Sequence, residues 1–296
     1  MAQTDLTMTT QGKANAPAKG EIVLRDVCKS YGPRRFATGV IRDCSFTAEA
    51  NRFTVMIGPS GAGKSTLVRL IAGFEKPSSG QILIDGRPVA GPGRDRLVVF
   101  QETALFPWMS VEDNALFGPR ARGESEASSG KLVDFLLGKV GLLAFRKHFP
   151  NQLSGGMQRR AELTRALVNN PDAMILDEPF RGLDAMMKKL MLEYYAKLSA
   201  EQPRTNLFVT TDIDEAIFLA DRLLVMSHIP TQVRAIIEVD LPRPRRYNDL
   251  FHDDRANEIK MQALSILHEE AMKGFSGGSK AAGDFMEAYR RRVAAG

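Results

Sequence analysis

The most informative part of the sequence is the stretch Phe53-Thr-Val-Met-Ile-Gly58-Pro-Ser-Gly-Ala-Gly-Lys64-Ser65-Thr66. Its first five residues predict a short buried strand, and the apolar spacing that follows Lys64 predicts a helix. A glycine-rich turn between a strand and a helix is the context of a phosphate-binding loop, because glycines let successive backbone N–H groups face one centre at the positive end of the helix. We therefore expect the loop to bind the phosphates of a nucleotide through Gly58, Pro59, Ser60, Gly61, Ala62, Gly63, Lys64, Ser65 and Thr66.

Two side chains of this loop suit a phosphate and a metal ion. Lys64 can reach the β- and γ-phosphates as a point charge, and the Ser65 hydroxyl is placed to ligate Mg²⁺. A glycine-rich turn without a ligand is the alternative, and the complete motif in its expected context argues against it.

An apolar strand ends in two acids at Met174-Ile-Leu-Asp177-Glu178-Pro179. Ligand chemistry collects at the strand ends of α/β sheets. Adjacent strand residues point to opposite sides, so we expect Asp177 to hold Mg²⁺ and Glu178 to face an attacking water. Without the phosphate loop upstream, a helix cap or a turn is the commoner meaning of such a pair.

The composition is that of a globular chain and excludes several classes of protein. The 296 residues are 44% hydrophobic and 25% charged, with a net charge of +5, which excludes disorder throughout and favours an anionic partner only weakly. No window approaches the roughly 18 uninterrupted apolar residues of a membrane-spanning helix. Residues 1–20 lack an apolar segment, so we expect a flexible tail rather than a secretory signal. Cys28 and Cys44 have neither metal-ligand nor redox spacing, which indicates a reducing compartment.

Short apolar blocks separated by helical stretches predict an α/β fold with parallel strands buried on both faces. A strand is expected from residue 21, and others at 53–57, 81–84, 97–100, 173–176 and 207–209. Residues of about 103–170 form a mostly helical insertion, inside which 118–130 lacks large apolar side chains and is expected to be an exposed loop. The core domain is expected over 21–242. A helical extension follows over 243–296, with an apolar stripe at Ile259, Ala263, Leu267 and Ala271.

One further motif is typical of a known family. Leu153-Ser154-Gly155-Gly156-Met157-Gln158 resembles the signature motif of ABC transporter ATPases. Other motifs occur in the family's order: Tyr31 resembles its A-loop aromatic, Gln101 its Q-loop glutamine and Asp184 its D-loop aspartate. The resemblance covers roughly residues 21–246. It implies a P-loop NTPase (RecA-like) fold with a mostly parallel sheet core, an antiparallel β portion and the inserted α-helical subdomain.

The resemblance also implies roles for these residues. Tyr31 would stack on the adenine of ATP, and Gln101 would touch Mg²⁺ or the lytic water. Ser154, Gly155 and Gly156 at a helix start present a hydroxyl and bare N–H groups, which make a second anion site by themselves. In the family two subunits pack head to tail, so that each signature closes on the nucleotide in the other's P-loop. Each residue has an alternative interpretation. Tyr31 could be an exposed aromatic without a ligand, Gln101 a solvated polar side chain, and the signature motif a helix cap.

Partners outside this chain are implied as well. In the family a membrane permease and, indirectly, a periplasmic binding protein choose the substrate, and the ATPase subunit is peripheral at the cytoplasmic face of the bacterial inner membrane. Phe106-Pro107-Trp108-Met109 either grips the permease or packs within the subdomain. Residues 212–222 and 241–245 are most similar to nitrate, sulfonate and taurine importers, so a small anion is the expected substrate. No nucleic-acid partner is expected.

One residue departs from the family pattern. The family ends the strand after the D-loop with a His, and here the run is Phe208-Val209-Thr210-Thr211. The Thr211 hydroxyl can donate one hydrogen bond but carries no charge near neutral pH, so hydrolysis is expected to be slow. The partner is then either a second copy or a different ATPase subunit that has the His. A weakly hydrolysing regulatory subunit and a non-transport ABC ATPase stay open, although one P-loop without heptads argues against the latter.

Overall fold

The structure, a computed structural model, describes residues 18–33 and 37–276. Most of the expected flexible tail, 1–17, and the end of the expected C-terminal extension, 277–296, lie outside the described residues. The described strands are β1 (Ile22–Tyr31), β2 (Thr38–Ala48), β3 (Phe53–Ile57), β4 (Ser79–Ile84), β5 (Arg87–Pro88), β6 (Arg96–Val99), β7 (Ala173–Asp177), β8 (Thr205–Thr210), β9 (Arg222–Met226) and β10 (Val233–Glu238). The described helices are α1 (Lys64–Ala72), α2 (Val111–Ala121), α3 (Glu126–Lys139), α4 (Gly155–Val168), α5 (Ala185–Glu201), α6 (Ile213–Leu219) and α7 (Asp254–Ser276), with short 3-10 turns at Leu143–Phe145, Pro150–Gln152 and Asp249–His252.

A six-stranded sheet forms the centre of the fold, in the order β10-β9-β3-β8-β7-β6. Its strands are parallel except for β10, which joins the edge antiparallel to β9. Every residue of β3, β7 and β8 is buried, because both faces of the sheet are covered. The strands predicted at 53–57, 173–176 and 207–209 are confirmed, and so is the mostly parallel core.

A four-stranded antiparallel sheet, β2-β1-β4-β5, packs beside the core and confirms the expected antiparallel portion. Strand β2 was not predicted. Its buried Ile41, Cys44 and Phe46 are unevenly spaced, and its pairing with β1 shifts register at three points. The irregularities break the period of two by which a half-buried strand is recognised in a sequence.

The helical insertion consists of α2, α3 and α4, and the exposed loop predicted for 118–130 is wrong. Residues 118–121 complete α2 and 126–130 begin α3, so the connection is confined to 122–125. A Cβ at Gly118 would collide with the side chain of Asn169, which caps the end of α4. Pro119 is buried inside α2. The small residues therefore allow a close contact between two helices.

The C-terminal helix α7 packs on the core. Ile259 and Ala263 are fully buried in the hydrophobic cluster that also includes residues of α5 and α6, whereas Leu267 is half-buried and Ala271 is exposed. In the segment before α7, the guanidinium of Arg245 donates to three carbonyls at the end of α6. Among the described residues no helix is both long and apolar enough to cross a membrane.

Candidate nucleotide-binding and catalytic site

The phosphate loop leads from the end of β3 into α1. Gly61 and Gly63 have φ angles of +75° and +77°, a left-handed conformation that glycine adopts without strain. Lys64 is buried, and its ammonium donates to the carbonyls of Gly58 and Pro59, both at 2.8 Å. Burial lowers the pKa of Lys64, while the charges of the two strand-end acids oppose this shift. The lysine is thus held against the backbone of the loop that is expected to bind phosphate.

Thr231 supports the phosphate loop from outside the motif. Its hydroxyl donates to the carbonyl of Ala62, 169 positions away in the chain. A Cβ at Gly63 would collide with the same hydroxyl, so this glycine is needed for close approach as well as for its φ angle. The backbone N–H of Thr231 donates to the carbonyl of Val40 at 2.7 Å. The role of Thr231 cannot be predicted from the sequence, because no local pattern indicates a contact between residues that are 169 positions apart.

Asp177 is the last residue of β7 and lies against the phosphate loop. Its carboxyl is buried beside the Ser65 hydroxyl. Burial raises the pKa of Asp177, whereas the Ser65 hydroxyl and the charge of Lys64 oppose the shift. A carboxylate beside a hydroxyl fits Mg²⁺, which takes one or two carboxylates together with phosphate oxygens and waters. Within the described part of the chain no cluster of three or more His, Cys, Asp or Glu could hold a metal by itself.

Glu178 follows β7 with its backbone in an uncommon conformation. Its φ angle is +46°, in the left-handed region that few non-glycine residues occupy. Its N–H donates to the carbonyl of Val209 on β8 at 2.8 Å, and its carboxylate lies 3.2 Å from the guanidinium of Arg181. The sequence analysis attributed the different directions of the Asp177 and Glu178 side chains to the alternation of residues along a strand. In the structure, the turn after β7 sets the direction of Glu178 instead.

A cleft of about 520 Å³ has Glu178, Thr211 and the first residues of the phosphate loop in its walls. D-loop residues 181–183 line the same cleft. Leu267 and Ala271 of α7 complete the wall, which was not expected from the sequence. The structure thus brings Thr211, at the position of the family's His, to the site that contains the expected catalytic carboxylate.

Lys188 on α5 anchors the segment that carries Thr211. Its ammonium lies 3.1 Å from the carboxylate of Asp212 and 2.9 Å from that of Glu215, and the Thr210 hydroxyl donates to Glu215 at 2.6 Å. Burial lowers the pKa of Lys188, but the hydrogen bonds and charges of the two carboxylates outweigh burial and raise the pKa above its ordinary value. Both residues that flank Thr211 are therefore fixed. No motif marked Lys188 in the sequence.

Tyr31 ends β1 beside the first turn of α1. Its side chain is 41% exposed, and the Lys29 ammonium lies 4.8 Å from the ring centroid. The Tyr31 hydroxyl donates to Glu75 at 2.5 Å, and it lies beside the Thr66 side chain. The contact with Thr66 brings the ring to the end of the phosphate-loop motif. A flat, partly exposed ring at this place suits stacking on a base.

Gln101 leaves the sheet at the same edge as the two acids. Strands β6 and β7 are parallel neighbours, with Val99 opposite Leu176. Gln101, two residues beyond β6, and Asp177, the last residue of β7, therefore lie at the ends of adjacent strands. Gln101 is exposed. Its position is at the carboxyl ends of the parallel strands, where ligands of α/β sheets bind.

The signature motif begins α4. Ser154 caps the helix, and its hydroxyl accepts from the backbone N–H three residues later at 3.3 Å. Gly155 and Gly156 form the first turn of α4. Asp184 caps α5 in the same way, at 2.9 Å. The residues that line the cleft with Glu178 include none of the signature motif, although a Cβ at Gly156 would lie 3.3 Å from Leu183 in the cleft wall.

The parallel sheet, the phosphate loop and the strand-end acids define the chain as a P-loop ATPase with a helical subdomain that carries a second candidate anion site. A sequence profile described as ABC transporter matches residues 41–181. Together with relatives that are 38–39% identical over most of the chain, this match shows that the chain belongs to the ATP-binding proteins of the ABC transporter family, whose activity is ATP hydrolysis.

Several relatives match most of the chain. It is 39% identical to an uncharacterized ABC transporter ATP-binding protein of Methanocaldococcus jannaschii over 227 residues. This match covers 75% of this chain and 82% of that protein. It is 38% identical over 245 residues to the nitrate import ATP-binding protein of Synechococcus elongatus, covering 82% of this chain and 89% of that protein. It is 39% identical over 233 residues to the aliphatic sulfonates import ATP-binding protein of Bacillus licheniformis, covering 78% and 90% respectively. A dimeric structure of a post-hydrolysis ATP-binding cassette bound to ADP and Pi matches with a TM-score of 0.67 at 28% identity, covering 75% of this chain and 100% of that one. These likenesses confirm the expected fold and the expected ATP-binding class.

Proposed function

We propose that the chain powers an importer of small anions, of the nitrate, sulfonate or taurine class, as one of two ATPase subunits packed head to tail beneath a membrane permease. The observation that carries the proposal is that different elements of one chain form the two half-sites: Glu178 and the phosphate loop border the cleft, whereas Ser154, which caps α4, is not among the residues that line it. A second subunit is then needed to bring a signature to each nucleotide.

Binding of ATP uses the phosphate loop and Tyr31. The loop N–H groups and Lys64 bind the phosphates, and the ring of Tyr31 stacks on adenine. Ser65, Asp177 and Gln101 would hold Mg²⁺, which would supply positive charge next to the phosphates. Buried Asp177 beside Ser65 supports this assignment.

Hydrolysis uses Glu178, which accepts a proton from the attacking water. Thr211, which lines the same cleft, donates a hydrogen bond in place of the family's His. Their shared cleft supports both assignments. The neutral hydroxyl makes turnover slow, and this leaves a second candidate: a weakly hydrolysing subunit in a heterodimer whose other ATPase carries the His.

An exposed aromatic surface at the start of α2 docks on the permease. Trp108 is 69% exposed, and the ring of Phe106 lies 5.5 Å from Trp108 and 4.8 Å from the exposed Phe117 between centroids. Exposed aromatic clusters favour protein contacts. Packing within the subdomain, the alternative from the sequence, does not account for the exposure of Trp108. Docking makes the chain a peripheral protein at the cytoplasmic face of the inner membrane.

The substrate class rests on relatives named for nitrate and aliphatic sulfonates import. The permease and a periplasmic binding protein select the anion. Purification of the tagged chain from membranes, followed by identification of the copurifying chains, tests the permease and decides between a homodimer and a heterodimer.

Glu178→Gln tests the catalytic assignment. We expect phosphate release to fall by about 10²–10⁴ relative to the parent, the range for loss of a general base, while ATP still binds. With ATP, but not with ADP, the variant is expected to dimerise, as measured by light scattering. Undiminished hydrolysis would refute the role of Glu178, and a variant that binds ATP yet stays monomeric would refute the head-to-tail dimer.

A further inference from the structure

A buried arginine on the signature helix binds the catalytic turn. Arg159, in the second turn of α4, is 3% exposed. Its guanidinium donates to three backbone carbonyls: those of Phe100 at 2.5 Å, Pro179 at 2.5 Å and Glu178 at 3.1 Å. These carbonyls lie just beyond the ends of β6 and β7. A single side chain of the helical subdomain thus holds the backbone at both strand ends of the expected active site.

The peptide units around Glu178 are consequently fixed from two sides. The Glu178 N–H donates to Val209 on β8, and its C=O accepts from Arg159. A non-glycine residue at a φ of +46° persists only where its surroundings impose that conformation. The direction in which the Glu178 carboxylate leaves the backbone therefore depends on where Arg159 lies.

Two more side chains of α4 extend these contacts along the segment after β6. Glu162 pairs with Arg159 at 2.6 Å and accepts from the N–H of Ala104 at 3.0 Å. Arg165 donates to the carbonyl of Ala104 at 2.8 Å, and its guanidinium lies 5.3 Å from the centre of the Phe106 ring. The charged side chains of one helix thus connect the Q-loop segment with the catalytic turn.

We propose that Arg159 is a positioning residue for Glu178. Through Arg159, the direction of the Glu178 carboxylate depends on the position of the helical subdomain. The inference rests on the proposed function, in which Glu178 is the general base and Ser154 engages the partner's nucleotide. Ser154 caps the helix that carries Arg159. Helix α4 therefore links the nucleotide bound to the partner subunit with Glu178 of the subunit to which α4 belongs. The two ATP sites of the dimer are then cooperative.

Arg159→Met removes the guanidinium and keeps an unbranched side chain. We expect kcat for ATP hydrolysis to fall about 10²-fold, the cost of a small misplacement of a catalytic group. KM for ATP should stay within about twofold of the parent, since no ATP-binding residue is touched, and the Hill coefficient should fall toward one. The matched control is Arg204→Met: Arg204 is also buried but contacts Gln202 and Met174, toward the opposite end of β7. The Arg204→Met substitution should lower the thermal midpoint of unfolding without lowering kcat.

Two further variants separate positioning from folding. Arg159→Lys keeps a cation beside Glu162, but one ammonium does not reproduce the planar fork that spans three carbonyls, so the fold should survive and kcat should still fall. Arg159→Met combined with Glu162→Gln removes both buried charges and retains an oxygen for the Ala104 N–H. This pair should regain thermal stability while kcat stays low.

Full kcat in Arg159→Lys, or a kcat that returns together with stability in the double variant, would overturn the positioning role. Glu178→Gln is measured alongside. If Glu178→Gln hydrolyses ATP like the parent, the proposed function fails and the inference fails with it. If Glu178→Gln is inactive and the Arg159 variants are fully active, only the inference fails.

Discussion

Replacing Thr211 by His restores to the cleft the side chain that the family has at this position. Thr211 is exposed in the cleft, and its neighbours Thr210 and Asp212 are bonded to Glu215 and Lys188. The substitution therefore adds an imidazole to a backbone that is fixed on both sides. We expect Thr211→His to increase the rate of hydrolysis without changing how ATP is bound.

The size of the increase follows from the hydrogen bond that each side chain can give to the γ-phosphate. A neutral donor contributes about 1 kcal/mol and a charged one about 1.5–3 kcal/mol. A difference of about 1–1.5 kcal/mol, realised as charge develops in the transition state, corresponds to about a tenfold increase in kcat. Because the imidazolium is the stronger donor, the gain should be largest at low pH and should decline as pH rises through the imidazole pKa, ordinarily about 6.5.

The assay is cleavage of ATP by the full chain, quenched with acid under single-turnover conditions between pH 6 and pH 9, which removes product release from the measured rate. Thr211→Asn is the matched control, since its amide donates a hydrogen bond but does not titrate in this range. It should follow the parent at every pH. Equal rates for Thr211→His and Thr211→Asn would refute the reasoning that a missing charge limits turnover.

Two other perturbations test the metal and the permease contacts. Asp177→Asn should raise the thermal midpoint of the ligand-free chain, because burial raises the pKa of this carboxyl and the parent loses stability as pH rises through that raised pKa. The same variant should lose the stabilisation by Mg²⁺ and ATP. In the parent this stabilisation is about 2.7 kcal/mol when the ligand is at a hundredfold excess over Kd. Thermal unfolding with and without Mg²⁺ and ATP measures both effects. An undiminished response to Mg²⁺ and ATP would contradict the assignment of Asp177 to the metal. Trp108→Asp should leave the ATPase rate of the isolated chain within about twofold, since the side chain is exposed, and should abolish copurification with the permease. Phe251→Asp, at another exposed aromatic, is its control, and equal copurification by both variants would place the permease contact elsewhere.

The parts of the fold that the sequence predicts are those whose pattern is local and uniform. Strands such as β3 and β7 are buried on both faces, so every residue is apolar or nearly so. The phosphate loop is similarly a contiguous motif. Strand β2 escapes prediction because bulges interrupt its alternation. The 118–130 segment is misassigned because the small residues of a loop and those of a close helix contact look alike until Gly118 is seen against Asn169.

The same distinction applies to the site. Lys64, Asp177 and Glu178 lie in motifs that can be recognised within a few residues of sequence. Thr231 and Arg159 act on backbone carbonyls that are 169 and 59 positions away, at Ala62 and Phe100 respectively. Contacts of this kind depend on the packing of elements far apart in the chain. A weak signal does exist for Arg159, because it forms an Arg–Glu pair with Glu162 at a three-residue interval inside a helix.

The order of charged residues along α4 bears on how transport and hydrolysis are coupled. Arg165 packs on the ring of Phe106, which belongs to the proposed permease surface, and Arg159 binds the carbonyl of Glu178. Glu162 lies between them and is bonded to Arg159. On the proposed assignments, a permease that shifts the aromatic surface also shifts α4 relative to β7, and so changes the direction of the general base. No movement of the phosphate loop is required for this coupling. On the same assignments, the position of the helical subdomain affects hydrolysis through Arg159 and Glu178, while the residues that bind the phosphates of ATP stay in place.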